Sequence, residues 1–367
     1  MENKLKLGFG LMRLPKLEDG NIDVEQLKEM VDLFMAAGGT YFDTAFVYEG
    51  SEEAIRKALV ERYPRDSYTL ASKLNAWQAG SKEAAEAQFE TSLARTGAGY
   101  FDYYLLHSLR DSNYHVYNDY NMWEFVQEKK RQGLIKNVGF SFHDTPNMLE
   151  VILKDHPEVD FVQLQINYAD WENPAIDSHG NYEVARKYGK KITVMEPVKG
   201  GMLAELPEKT AKRLKDYAPE ASLPSWAIRF VASLDGILAV LSGMSNITQM
   251  KDNLSYMKDF RPFNEEEQAL VAQAREDLNG VDRILCTACH YCEPGCPVNM
   301  PIPKIFGAVN LYKLFGNYEA ARNNYNVNIK LRAAASECIG CGQCEGACPQ
   351  HLPIISCLQD AAELFEK

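Results

Sequence analysis

Short apolar runs alternate with longer amphipathic segments through roughly the first 260 residues of the chain. The runs have the composition of buried parallel strands, which are hydrophobic on both faces. Between them, segments such as VEQLKEMVDLFMAAGG place apolar residues three and four apart and end in glycine, as amphipathic helices do. The pattern predicts eight strands: Leu5–Gly10, Thr40–Ala45, Tyr68–Leu74, Phe101–His107, Ile135–Ser141, Asp160–Ile166, Lys191–Pro197 and Gly236–Gly243.

Eight strand and helix alternations in a segment of this length match the size and rhythm of an α/β protein built as a (β/α)8 TIM barrel. A doubly wound sheet is the alternative, but no GxGxxG motif follows the first strand, which offers only Gly8-Phe9-Gly10. We expect residues 1–262 to form the barrel. Residues 263–367 should form a linker helix and a small, mainly α-helical domain, with helices in IPKIFGAVNLYKLFG and EAARNNYNVNIKLRAAA.

Composition and charge narrow the classes of function. The chain is 46% hydrophobic and 25% charged, which is typical of a folded globular protein. Its net charge of -12 has the wrong sign for broad binding to nucleic acid or to an anionic membrane. The N-terminus lacks the apolar region of a signal peptide, and no run of about 18 apolar residues occurs. We therefore expect a cytoplasmic protein with small-molecule partners and with neither a nucleic-acid nor a membrane partner.

The cysteines carry the most specific signal, because all nine lie between Cys286 and Cys357. Eight of them form two copies of the motif C-x2-C-x2-C-x3-C-P, which is typical of bacterial [4Fe–4S] sites in which the fourth cysteine binds the other cluster. Zinc is the alternative, but zinc sites usually separate their cysteine pairs by a dozen or more residues. We therefore predict two [4Fe–4S] clusters with crossed fourth ligands, one on Cys286, Cys289, Cys292 and Cys348, the other on Cys338, Cys341, Cys344 and Cys296.

Four polar residues lie where the second, third and fourth predicted strands end: Asp43, Tyr48, Lys73 and His107. Barrel enzymes place their chemistry at this rim, and the spacing of about one strand-helix unit would bring the four together. Each also has a structural interpretation, such as a turn cap for Asp43 or a core histidine for His107. Together they could form a tyrosine proton donor, a lysine that acidifies it, a carboxylate that holds the lysine and a histidine that orients a carbonyl group.

The segments YFDTAFVYEGSE, ASKL and YYLLHSL, which carry these four residues, resemble the aldo-keto reductase family over roughly residues 4 to 260. The resemblance implies an NAD(P)H-dependent oxidoreductase that reduces a small-molecule carbonyl, or oxidises an alcohol, with Tyr48 as proton donor. It also implies that Ser141 and Gln163 hold the carboxamide of the nicotinamide. By the same resemblance, the adenosine phosphates and adenine would be held by Gly243, Met244, Gln249 and Asn253.

The chain departs from the family pattern at the residue after Ser141, which is Phe142, and around Met195-Glu196, where an aromatic residue usually stacks under the nicotinamide. No Lys or Arg lies between Ser245 and Gln249 to pair with a 2′-phosphate, so we expect NADH to bind at least as well as NADPH. The alternative hypothesis is an electron-transfer protein whose barrel binds flavin or serves as a scaffold. In that case the clusters would exchange electrons with an external ferredoxin or another carrier.

Overall fold

The computed structural model describes residues 5–173, 176–280, 282–315 and 317–367. The first four residues of the predicted barrel domain, Val281 of the predicted linker and Gly316 at the end of a predicted helical segment lie outside the described residues. The chain divides into two compact units, which we describe separately. The first comprises residues 5–173, 177–198 and 224–268, and the second comprises residue 176 and residues 199–223 and 269–367, apart from those outside the described ranges.

In the first unit, eight parallel strands close into a barrel in chain order, with β1 hydrogen-bonded to β8. This confirms the (β/α)8 prediction, and each predicted apolar run coincides with one strand, although β4 and β5 extend past the predicted ends at His107 and Ser141. The strands are β1 Leu7–Gly10, β2 Tyr41–Asp43, β3 Thr69–Leu74, β4 Phe101–Leu109, β5 Ile135–Phe142, β6 Phe161–Gln165, β7 Lys191–Met195 and β8 Ile237–Ser242.

The barrel interior is packed with side chains, because alternate residues of each strand point inward. One layer of this interior consists of Tyr41, Ala71, Leu105, Phe161, Ala239 and Leu241. Gly139 of β5 allows this packing, since a Cβ atom there would lie 2.5 Å from the Phe161 carbonyl oxygen and 2.6 Å from its ring. The interior of the barrel below its rim is therefore filled with side chains.

Helices of the first unit cover the outside of the barrel. Five of them begin at a side chain that accepts a hydrogen bond from the first helical turn: Asp23, Ser81, Thr145, Asp177 and Asn246. Across the described residues, no helix is both long and apolar enough to cross a membrane. The helices are α1 Val24–Ala36, α2 Ser51–Ile55 with a π-helical turn at Arg56–Val60, α3 Lys82–Thr96, α4 Asp111–Asp119, α5 Met122–Arg131, α6 Pro146–Asp155, α7 Ser178–Lys187, α9 Leu223–Ala232 and α10 Ile247–Met257.

The second unit is mainly helical and cysteine-rich, as predicted. Its core includes Ile305, Phe306, Tyr325, Leu358 and Phe365. The domain boundary at residues 262 and 263 stays a prediction. The helices are α8 Glu208–Tyr217, α11 Glu265–Asn279, which begins in the first unit, α12 Ile302–Phe315, α13 Tyr318–Ile329, α14 Gln343–Ala347 and α15 Ile354–Phe365.

Residues 199–223 belong to the second unit although they lie between β7 and β8 in the chain. Asp277 of α11 accepts hydrogen bonds from Thr210 (2.8 Å) and Arg213 (2.6 Å) of α8. At the start of the segment, Gly200 has φ +63° and packs so closely that a Cβ atom there would lie 2.4 Å from the carbonyl oxygen of Thr287. Thr287 follows the first cysteine directly, so this segment is packed against a cysteine loop.

Candidate functional site

The barrel strands carry three of the four predicted catalytic residues to one rim. Asp43 ends β2, and Lys73 and His107 lie near the ends of β3 and β4. Each of the three is two residues beyond a member of the interior layer, so its side chain points into the mouth of the barrel. Tyr48 lies in the loop after β2 and is half-buried.

Lys73 and Asp43 form a buried ion pair at this rim. The Lys73 ammonium donates to Asp43 Oδ1 at 2.5 Å and to the Thr44 carbonyl oxygen at 2.7 Å, and the Lys73 side chain is 0% exposed. Burial lowers the pKa of Lys73, while the Asp43 carboxylate opposes that change. A buried cation is tolerated only where it is paired and hydrogen-bonded, and these contacts meet that requirement.

Tyr48 and His107 complete the cluster above the ion pair. The Lys73 Nζ atom lies 4.9 Å from the centre of the Tyr48 ring, and the Tyr48 and His107 ring centres are 5.9 Å apart in an edge-to-face arrangement. Burial lowers the pKa of His107 well below its usual value, and the nearby Lys73, His143 and Arg110 lower it further. His107 is therefore a neutral imidazole near neutral pH.

Ser141 and Gln163, predicted to hold a carboxamide, occupy neighbouring strands of the rim. Their Cα atoms are paired in the β5–β6 register, and both side chains are buried. The Ser141 hydroxyl accepts a hydrogen bond from the Ser108 N–H at 2.7 Å. Gln163 Nε2 contacts Met195 Sδ at 3.6 Å, and Gln163 Oε1 is buried with no hydrogen-bond partner among the described residues. An unpaired buried amide oxygen is costly, so it fits a ligand that donates to it.

The residues predicted to hold the adenosine end follow β8. Gly243 is exposed, Gln249 accepts a hydrogen bond from the Ser245 N–H at 2.7 Å, and Asn253 is buried with its Oδ1 atom unpaired within the described residues. The side chain of Met244 packs in the core of the first unit, so only its backbone is available to a ligand. The loop and the first turns of α10 thus present polar groups to one another and to solvent.

Arg13 adds a positive charge to this loop. It lies just after β1, and a Cβ atom on Gly243 would be 3.9 Å from Arg13 Nη1. The Ser245 hydroxyl donates to the Arg13 carbonyl oxygen at 2.8 Å. The Arg13 guanidinium also pairs with Glu196, the residue after β7, at 3.2 Å. The prediction of a site without a basic residue considered only 245–249 and missed this side chain.

The eight motif cysteines surround two cavities in the second unit. The lining of the first includes Cys286, Cys289, Cys292 and Cys348. The lining of the second includes Cys296, Cys338, Cys341 and Cys344. These are the two groups that the crossed pairing predicts. Among the described residues, no group of three histidine, cysteine or acidic side chains is arranged to hold a single metal ion.

The cysteines at the two cavities differ in their exposure to solvent, but burial raises the pKa of a cysteine at each cavity. Cys292 and Cys348 are buried at the first cavity, whereas Cys341 is exposed at the second. Burial raises the pKa of Cys344 to about 11 and raises that of Cys292 further. These cysteines would therefore be neutral thiols without metal, and binding of metal as thiolates would release protons.

Comparison with known proteins identifies both parts of the chain. The model of the aldo/keto reductase family matches residues 6–276, and that of the 4Fe-4S dicluster domain matches residues 285–352. The chain belongs to the aldo/keto reductase family. It is thus an oxidoreductase of this family that carries a 4Fe-4S dicluster domain at residues 285–352.

Individual relatives match the barrel part of this reductase. It is 25% identical over 312 residues to the uncharacterized oxidoreductase YqkF of Bacillus subtilis, an alignment that covers 74% of this chain and 94% of YqkF. Two solved structures share the fold, each over 73% of this chain. The thermostable aldo-keto reductase Tm1743, solved with the inhibitor epalrestat, is 23% identical with a TM-score of 0.60 over 94% of its length. An aldo/keto reductase from Klebsiella pneumoniae, solved with NADP and acetate, is 20% identical with a TM-score of 0.60 over 90% of its length.

Two features of the candidate site were absent from the sequence predictions. Arg13 is one, and the other is Glu52, a fully buried carboxylate beside β3. Glu52 lies four residues after Tyr48 in the segment YFDTAFVYEGSE, so its proximity to Tyr48 could have been inferred from the sequence. Arg13 could not, because its contact with residues 243–245 depends on the closure of β1 onto β8.

Proposed function

We propose that this protein reduces the carbonyl group of a small molecule to an alcohol, or catalyses the reverse reaction, with a nicotinamide nucleotide as redox partner. The observation that carries the proposal is the arrangement around Lys73. Its ammonium is held by Asp43 at 2.5 Å and lies 4.9 Å from the ring of Tyr48. This arrangement suits a tyrosine that gives up a proton.

In the proposed reaction Tyr48 protonates the carbonyl oxygen. The Lys73 ammonium stabilises the phenolate that remains, which makes the phenol a stronger acid than a free tyrosine. Neutral His107 donates a hydrogen bond to the same oxygen and orients the substrate. A bound nicotinamide nucleotide would supply the hydride that forms the new C–H bond. The proton from Tyr48 completes the alcohol, and the phenolate regains a proton from solvent.

The nucleotide would be held along the rim from β5 to β8. Ser141 and Gln163 would bind the carboxamide, and the unpaired Gln163 Oε1 atom supports that role. The backbone of Gly243 and Met244, with Gln249, would bind the phosphates, and Asn253 would bind the adenine through its unpaired Oδ1 atom. The NADP complex of the Klebsiella pneumoniae protein supports a nucleotide in this fold.

We further propose that each cysteine-lined cavity holds one [4Fe–4S] cluster with the crossed ligands. Four thiolates around a cavity of this kind match the ligand set of such a cluster. The clusters would supply one-electron exchange. The exposed Cys341 supports electron exchange with an external carrier through the second site.

A second candidate function is electron transfer in which the barrel chemistry plays no part. The exposure of Cys341, together with Ile339 at 64%, favours this candidate because both flank the second cavity. A flavin in the barrel would link two-electron and one-electron chemistry in that case.

The test is made on protein purified without oxygen. Oxidation of NADH or NADPH that requires an added carbonyl, such as 4-nitrobenzaldehyde, supports the proposed function. The cofactor released from acid-denatured protein is identified in parallel. Flavin at about one per chain with no carbonyl-dependent oxidation would replace the proposal by the electron-transfer function.

A further inference from the structure

Glu52 is a buried carboxylate for which the proposed chemistry has no use. It lies in the first turn of α2, and its side chain is only 1% exposed. Burying a carboxylate is costly unless the group is paired and hydrogen-bonded. The partners of Glu52 therefore indicate what its burial achieves.

The two oxygens of Glu52 connect α2 to two other elements. Oε1 accepts a hydrogen bond from the Ser72 hydroxyl at 2.7 Å, and Ser72 immediately precedes Lys73 in β3. Oε2 pairs with Arg95 Nη1 of α3 at 3.5 Å. The carboxylate thus lies between the strand that carries the lysine and a helix on the outside of the barrel.

Arg95 extends this network to the loop that carries Tyr48. The same Nη1 atom donates to the Phe46 carbonyl oxygen at 3.2 Å, and the guanidinium carbon lies 4.7 Å from the centre of the Phe46 ring. The loop is also held by a 2.7 Å hydrogen bond between the hydroxyls of Thr44 and Ser51, and the Phe46 N–H donates to the Lys73 carbonyl oxygen at 3.1 Å. Removing Glu52 would release Arg95 from its buried partner and loosen the side of the loop that faces α3.

We propose that Glu52 is a positioning residue, which fixes the Tyr48 loop against β3 through Ser72 and Arg95 and adds a second buried negative charge to the surroundings of the Lys73 ammonium. This inference rests on the proposed function, because it assigns Glu52 to the tetrad chemistry. The residue touches neither substrate nor cofactor and acts through Ser72, Arg95 and Lys73.

The effect of the Glu52 charge on the pKa of Lys73 has a definite direction. Burial lowers the pKa of Lys73, and the charges of Asp43 and Glu52 oppose that change. Burial raises the pKa of Glu52 itself, against the effect of Ser72 and Arg95, and its charge reaches Tyr104 of β4. Without the Glu52 charge the pKa of Lys73 falls further, so the ammonium is lost at a lower pH.

The experiment compares Glu52→Gln with Glu53→Gln in the full-length protein with its clusters. Glu53 is a matched control because it also pairs with Arg95, at 3.2 Å, but is half exposed. For Glu52→Gln we expect kcat/KM to fall about tenfold with 4-nitrobenzaldehyde, and the alkaline limb of its pH profile to move to lower pH. Hydrogen exchange in residues 44–51 should become faster. Glu53→Gln should leave kcat/KM, its pH profile and the rate of hydrogen exchange unchanged.

The outcomes separate this inference from the proposed function. A wild-type protein without carbonyl reduction defeats the proposed function and, with it, the assignment of Glu52 to that chemistry. In an active protein, faster exchange without a shift of the pH profile overturns the inference, because a merely structural residue gives that result. Equal behaviour of the two variants also overturns it. If Glu52→Gln does not fold, Ser72→Ala removes the 2.7 Å hydrogen bond but keeps the carboxylate, so exchange in residues 44–51 is expected to become faster while the alkaline limb stays in place. Unchanged exchange in this variant would overturn the inference.

Discussion

At the scale of single residues, the rim of the barrel concentrates buried charge on Lys73. Its ammonium has no exposure to solvent, yet it donates to a carboxylate and to a backbone carbonyl oxygen. In such surroundings electrostatic interactions are stronger than in water, so the effect on a neighbouring phenol is large. In the proposed reaction, the lysine is therefore the residue through which Asp43 acts on Tyr48.

Tyr48→Phe removes the proposed proton donor and keeps the ring. We expect kcat to fall by about 10²-fold or more while nucleotide affinity is retained, because the ring contacts with Lys73 and His107 survive. Steady-state kinetics and nucleotide titration on the same anaerobic preparation measure both quantities. A variant as active as the wild type would show that the proton comes from elsewhere.

Arg13→Ala removes the cation beside the loop after β8. We expect nucleotide binding to weaken about tenfold, since a charge-assisted contact to a phosphate is lost. Glu196→Gln is the complementary variant and should bind at least as tightly as wild type, because Arg13 loses its competing partner at 3.2 Å. Titration with NADH and NADPH shows which phosphate group Arg13 contacts. A loss of affinity for NADPH alone would assign Arg13 to the 2′-phosphate. Unchanged affinity for both nucleotides would contradict the role.

The sequence could predict where most residues of the candidate site lie, because strand periodicity is a local property. Asp43, Lys73 and His107 each follow an apolar run, so their placement at one rim needs only the barrel rule. Arg13 differs, since its meeting with Gly243 depends on ring closure between residues far apart in the chain. Glu52 was overlooked because a glutamate early in a helix is usually a solvated group.

At the scale of elements, the strands were predictable and their ends were not. The predicted fourth strand stops at His107, whereas β4 continues to Leu109 past a register irregularity. Ser108 adopts φ +60° there, and its N–H donates to the Ser141 hydroxyl. A side chain on the next strand thus decides how far β4 extends, and no local pattern contains that information.

The two glycines after β7 permit a sharp test of how the second unit is packed. Gly200 and Gly201 have φ of +63° and +98°, so alanine strains both positions. Only at Gly200 would the new Cβ atom collide with Thr287, since nothing lies within 4 Å of the corresponding position at Gly201. We expect Gly200→Ala to lower the iron content per chain and to accelerate the loss of visible absorbance in the presence of a chelator.

Gly201→Ala is the control for backbone strain. It should keep wild-type iron content and lose its absorbance at close to the wild-type rate. Equal damage in the two variants would mean that strain, and not the contact with the loop of Cys286, controls the second unit.

At the scale of the whole molecule, the second unit is built from separate stretches of the chain. The cysteine spacing predicted two metal sites from the primary sequence alone, because the ligands of each motif are local. The membership of residues 199–223 was unpredictable, since these residues look like an ordinary barrel connection. Their contacts, such as Thr210 and Arg213 with Asp277, join positions more than 60 residues apart.

The crossed ligand sets predict which of the two metal sites is impaired when one cysteine is replaced. Wild-type protein purified without oxygen should contain about eight irons and eight acid-labile sulfides per chain. Cys296→Ala should impair the site lined by Cys338, Cys341 and Cys344, because Cys296 lines that cavity. Electron paramagnetic resonance of the reduced variant measures which signal is lost.

Cys357→Ala controls for the loss of a cysteine outside the motifs, and it should keep both clusters. Stoichiometric zinc without visible absorbance in the wild type would contradict the cluster prediction. Damage confined to the site of Cys286 in the Cys296 variant would reverse the crossing.

The membership of residues 199–223 also has a consequence for biosynthesis. Chains are made from the N-terminus, and all eight strands are complete once Ser242 has been added, before any cysteine exists. At that stage the segment after β7 has been synthesised, whereas Thr287 and Asp277, on which it packs, have not. The barrel can therefore close on the ribosome around an unfinished connection. We expect this connection to be the part of a nascent, iron-starved chain that proteases cut first.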